Sequence, residues 1–142
     1  MSTKDKLGFT LVELMVVAVI VAVLAAAAIP LMTGNRKRAA ATEAEAGAGT
    51  VRTSLRTLYM ETRDYSRGLD GNPISSIWQI PVMTPSDLDG HFFDHFAYSV
   101  AVGTNTFTIT ARGTDSLAPD ADKVRGVVVT LDQDGKFTRT GI

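Results

Sequence analysis

One carboxylate stands where a carboxylate is costly. From Phe9 to Met32 the chain carries a single charge, Glu13, and Leu14 to Ile29 is unbroken apolar sequence rich in Val and Ala. An acid in such a run costs on the order of 2–3 kcal/mol at a helix centre and less near an end. Each neighbouring Val, Leu or Ile returns only roughly 0.3–0.6 kcal/mol. An acid kept at that cost implies a function and a cationic partner. A cut after Gly8 would supply one, because Phe9 would then carry a free α-amine. Phe9 and Glu13 stand at i and i+4, on one helix face a turn apart. The amine can meet its own Glu13 or that of a neighbouring chain. Pairing between chains would set the axial register of apolar helices, which carry little register information themselves.

Other chemistry-bearing residues give weaker signals. His91 and His95 have the four-residue spacing of helical metal ligands, but Phe92 stands where a zinc protease places its glutamate. Gly90 and the strand-like continuation also argue against a helix there, which leaves exposed or packed histidines. Asp132-Gln133-Asp134-Gly135 has the opening of a calcium loop without an acid at the far end, so a hairpin turn is expected. Asp115, Asp120 and Asp122 supply enough oxygens in one loop for calcium, against the plainer reading of a solvated acidic loop. No Ser-His-Asp arrangement, phosphate loop or paired-carboxylate signature stands out, so an enzyme is not expected. With no cysteine, neither a disulfide nor a Cys-ligated zinc site can form. A net charge of -1 over 142 residues argues against a dedicated nucleic-acid binder.

The elements that must position these residues follow from periodicity. A run of ~20 apolar residues crosses a bilayer, and a single crossing segment must be a helix. Residues 9–32 therefore read as a membrane helix, with a bend expected at Pro30, which lacks an N–H and clashes with the preceding turn. Ala40, Ala44, Ala48, Val51, Leu55, Leu58 and Tyr59 then recur at three- and four-residue steps, an amphipathic helix to about residue 63. Gly47 and Gly49 interrupt it as places of close packing or slight flexibility. The whole helix would be about 80 Å long at ~1.5 Å per residue. Residues 64–90, with Gly68, Gly71, Pro73, Pro81 and Pro85, read as a loop, with Trp78 expected to pin it to the core. From Phe92 strands are expected: Phe96, Tyr98, Val100 and Val102, then Phe107 and Ile109, then Val127, Val129 and Leu131, with Asp134-Gly135 turning into Lys136 to Arg139. The expected fold is α+β: a long N-terminal helix whose amphipathic half covers an antiparallel sheet of about four strands.

Three readings compete for the apolar segment. In one it is a secretory signal, with Lys4 and Lys6 in front and Ala25-Ala26-Ala27 as the cleavage site. In another it is a passive anchor. In the third it is cut at its front edge and kept for assembly, the only one that uses Glu13. The stretch Gly8-Phe9-Thr10-Leu11-Val12-Glu13-Leu14-Met15-Val16-Val17, the apolar run behind it and Pro30 resemble the prepilin signal of type IV pilins and type II secretion pseudopilins.

That resemblance implies a leader at 1–8, an assembly helix at 9–32 and a pilin-like head at 33–142. It implies that a membrane aspartyl peptidase cuts after Gly8 and methylates Phe9, that Glu13 supports assembly, and that Pro30 kinks the helix. The implied partners are copies of the chain or related pilins, the prepilin peptidase, and an inner-membrane assembly platform with its ATPase. The precursor would sit in the inner membrane with its head outside the cytoplasm, then enter an extracellular pilus or a periplasmic pseudopilus. The balance of Lys and Arg alone, with Arg36-Lys37-Arg38 behind the helix, favours a cytoplasmic C-terminal part; the expectation here follows the resemblance. Those three bases could touch lipid headgroups, or acids such as Glu43 and Glu45 on adjacent subunits. A solvated helix face is the plain alternative. Many type IV pilins close their C-terminal region with a disulfide, which this chain cannot form. Major pseudopilins often bind calcium in a C-terminal loop, and no such motif aligns here. The strand sequences Phe107 to Gly113 and Val128 to Asp132 look more like pilins. A pilus subunit is the expectation, with a pseudopilin as the alternative and a membrane-anchored, non-polymerising enzyme or binding domain behind it.

Overall fold

A helix needs satisfied donors at its start, and Thr10 and Glu13 provide for this one. The computed structural model describes residues 9–142, where α1 (Leu11–Thr62) is followed by strands β1 (Tyr98–Val102), β2 (Phe107–Arg112), β3 (Val128–Asp132) and β4 (Phe137–Thr140). The expected leader at 1–8, including Gly8, lies outside the described residues. By its contacts the chain divides into two units, with the boundary between Gly34 and Asn35.

In the first unit, α1 is apolar all round, and its most apolar window has a mean hydropathy of 2.9 with none of it buried. Length and composition suffice for it to cross a membrane. The helix continues through Pro30, and the Thr33 hydroxyl donates back to the carbonyl of Ile29 at 3.1 Å.

In the second unit, α1 buries Ala40, Ala41, Ala44, Ala48, Val51, Ser54, Leu55 and Leu58. Alanines on the first turns of that face let the helix backbone lie close to what it covers. The sheet is a meander in the order β1-β2-β3-β4, antiparallel throughout. Its register lines up Val100, Ile109, Leu131 and Phe137 in one row and Tyr98, Ala111, Val129 and Arg139 in the next. Ile109, Ala111, Val129 and Leu131 are fully buried and share a core with the helix. Full burial of a side chain the size of Ile109, Val129 or Leu131 is worth roughly 1.5–3 kcal/mol relative to exposure. The hairpin expected at Asp134-Gly135 forms, with Gly135 at φ 87° and its N–H on the carbonyl of Asp132 at 3.1 Å.

Three expectations are corrected. Trp78 is half exposed, whereas Ile77 and Ile80 are buried. Residues 77–79 form a single 3₁₀ turn, in which side chains three apart eclipse one another. Ile77 and Ile80 therefore share the inward side and Trp78 points away. The second correction concerns residues 92–97, which are not strand: His95–Ala97 is a 3₁₀ turn and β1 begins at Tyr98. The N–H groups of Phe92 and Phe93 go to the Glu43 carboxylate, both at 2.8 Å, and so cannot enter a ladder. Phe93 is buried in the core while Phe96 is half exposed. Third, Tyr59 is only half buried: its hydroxyl donates to Asn105 at 3.1 Å and its ring stacks on Tyr65 at 4.4 Å.

Candidate functional site

The start of α1 holds the site. Thr10 is the residue before the first helical turn, and its carbonyl accepts from the N–H of Leu14 at 3.2 Å. Its hydroxyl accepts from the Glu13 N–H at 3.2 Å, while Glu13 Oε2 accepts from the Thr10 N–H at 2.8 Å and the Thr10 hydroxyl at 2.9 Å. This reciprocal arrangement is a capping box, in which two orphan donors of the helix terminus are satisfied at once. The negative charge also stands at the positive end of the helix dipole. The Thr-x-x-Glu spacing of Thr10 and Glu13 is the sequence signal for this contact.

The geometry matters for Phe9. The Glu13 carboxylate is turned back to the backbone of Thr10, the residue next to the nitrogen that removal of the leader would free. Phe9 itself is highly exposed. The acid thus has partners within its own helix before any second chain arrives, which lowers the cost of carrying it through an apolar phase. An incoming ammonium can form a charge-assisted bond with the same carboxylate, about twice as strong as a neutral one.

Elsewhere the other candidates are dispersed. His91 Nε2 meets Asp120 Oδ2 at 2.9 Å, and His95 Nδ1 meets Asp89 Oδ1 at 2.5 Å, so the two histidines serve different acids. Asp120 also pairs with Lys123 at 2.5 Å; Lys123 first and then His91 hold its carboxyl below the usual range. Asp115 accepts from the Thr114 hydroxyl at 3.2 Å, and Asp122 sits on the 3₁₀ turn Ala121–Val124. Among the described residues no three His, Asp or Glu side chains are grouped to hold a metal ion. Glu43 and Glu45, expected as acids for neighbouring subunits, are engaged inside the chain. Glu43 takes the two N–H groups of Phe92 and Phe93. Glu45 is held by Arg139 through Nε at 2.5 Å and Nη2 at 2.7 Å.

Residues 3–29 match the prokaryotic N-terminal methylation motif, the prepilin-type signal of type IV pilins and pseudopilins. No curated protein and no solved structure matches the chain. A prepilin-type signal, an apolar helix able to span a membrane and an α+β head with a four-stranded antiparallel sheet together support a type IV pilin- or pseudopilin-like precursor. Such a signal implies processing by a prepilin peptidase and assembly with pilins, and it fits a precursor held in the inner membrane.

Proposed function

We propose that this chain is the structural subunit of a type IV pilus-like filament, cut after Gly8, methylated on Phe9 and polymerised through α1. The observation that carries the reading is Glu13, the single charge of residues 9–32, which stands four residues past the new N-terminus with its carboxylate on the N–H of Thr10, the residue after it. In the filament the Phe9 amine of one copy meets the Glu13 of another, and this pairing sets the register while the run Leu14 to Ile29 supplies apolar contact. The head stands outside the cytoplasm, the chain is not itself an enzyme, and a partner ATPase drives assembly. The engagement of Asp120 by Lys123 and His91 favours a pilus over a calcium-dependent pseudopilin. The lack of cysteine favours the pseudopilus, since no disulfide can close the C-terminal region.

Imaging the surface of cells with and without the protein tests the choice. Loss of long filaments supports the pilus. Normal filaments with failed export of folded proteins would assign the chain to a secretion pseudopilus. An unchanged activity of a Glu13→Ala chain that never assembles would instead mark an anchored domain.

A further inference from the structure

Arg36, Lys37 and Arg38 follow the apolar run without interruption by any acid. They lie four to six residues past Met32, which is about 6–9 Å of helix at ~1.5 Å per residue. That is the depth of a headgroup layer beyond a ~30 Å hydrocarbon core. Arg36 and Arg38 are exposed and Lys37 is partly so. Among the described residues, none of the three takes part in an ion pair. The next acids along the helix are Glu43 and Glu45, already occupied by the Phe92 and Phe93 amides and by Arg139. The cluster therefore has no counter-charge nearby on its own helix. Nor do these acids offer free carboxylates to the bases of an adjacent copy.

Spacing separates a lipid from a protein partner. Consecutive helix residues are turned by about 100° from one another, so three in a row fan over about 200° of the circumference. One docking protein would touch one face, whereas a headgroup layer surrounds the helix and meets all three bases. Guanidinium groups bind phosphate in a fork, and an ammonium does so as a point charge.

We infer that Arg36, Lys37 and Arg38 bind anionic phospholipid headgroups of the leaflet from which α1 emerges and so hold the precursor in the membrane before extraction. The inference rests on the membrane-anchored stage of the proposed function. It also gives these bases a use on the side of the membrane where they oppose the usual charge rule.

The full-length protein, and an R36Q/K37Q/R38Q variant, can be placed in vesicles of phosphatidylcholine alone or mixed with phosphatidylglycerol. Insertion is scored first, by flotation and protease protection. Spin-labelled phosphatidylglycerol and phosphatidylcholine then report which lipid lies against the helix. One base near an anionic surface is worth roughly a fivefold gain in association. The wild-type chain is expected to prefer phosphatidylglycerol by about that factor or more, and the preference should vanish in the variant and shrink with salt. Equal preference in both chains, or none in the wild type, overturns the inference. A wild type indifferent to lipid, with a variant that assembles poorly, would also overturn it and assign the bases to acids on neighbouring subunits. Failure of both chains to insert in either vesicle would overturn the membrane reading itself, and is visible before any labelled lipid is scored.

Discussion

Glu13 and Thr10 hold each other at the start of α1: the carboxylate accepts from the Thr10 N–H at 2.8 Å while the Thr10 hydroxyl accepts from the Glu13 N–H at 3.2 Å. The side chain caps its own helix, and in the proposed filament the same carboxylate would accept from the amine of another subunit. The two uses can be separated by substitution.

Glu13→Ala removes both, and is expected to abolish filaments while the leader is still removed. Thr10→Val removes the hydroxyl but keeps the carboxylate. Loss of a cap costs roughly 1 kcal/mol, so Thr10→Val should reduce assembly by about tenfold or less, and Thr10→Ser should restore it. Sheared filament yield, together with the N-terminal mass of the cellular protein, separates failed assembly from failed processing.

Gly47 and Gly49 of α1 should respond in opposite directions. A methyl group on Gly47 would lie 2.2 Å from the hydroxyl oxygen of Tyr98, while one on Gly49 meets nothing within 4 Å. Gly49→Ala is expected to stabilise the chain by about 1 kcal/mol through helix propensity, near 4 °C in thermal midpoint for a domain of this size. Gly47→Ala has the same propensity gain but forces Tyr98 aside, and is expected to lose about 1–3 kcal/mol. Midpoints of the full chain in detergent give both values.

Two aromatic residues of the α1–β1 connection are expected to differ sharply. Phe93 is completely buried, so Phe93→Ala should cost roughly 3–5 kcal/mol. Trp78 is half exposed, with its ring 4.8 Å from that of His95 and 6.0 Å from that of Phe96. Trp78→Ala should cost about 1 kcal/mol or less. Denaturant midpoints followed by circular dichroism check this, and the reverse ranking would contradict the packing described.

Acid should loosen that connection first. Ser66 holds the Asp64 carboxyl below its ordinary range, as Asn72 does for Asp70, Thr84 for Asp87 and His95 for Asp89. The native state then binds fewer protons than the unfolded one, so these bonds contribute stability above the unfolded value, near 4. That contribution is lost as pH falls through the lower native values. Pepsin digestion at stepwise lower pH is expected to cut residues 64–97 before it cuts β2 or β3. Asp87→Asn should flatten the pH dependence around Thr84.

The N-terminal third was largely legible in the sequence because its physics is local. An apolar run of membrane length, one acid four residues from Phe9, and helical periodicity from Ala40 to Leu58 depend only on the order of residues along one helix. The strand alternation of Phe107 to Ile109 and of Val129 to Leu131, and the Asp134-Gly135 turn, were legible for the same reason. The connection between helix and sheet was not. Whether Trp78 or its neighbours face inward depends on a 3₁₀ turn, and whether Phe92 and Phe93 enter a strand depends on Glu43, some fifty residues earlier. Likewise the Arg139 side chain reaches Glu45 only because β4 pairs with β3 in a register that puts Arg139 beside Val129. For Glu43 and Glu45 only the tertiary structure decides which donors reach the carboxylate, because those donors come from segments remote along the chain.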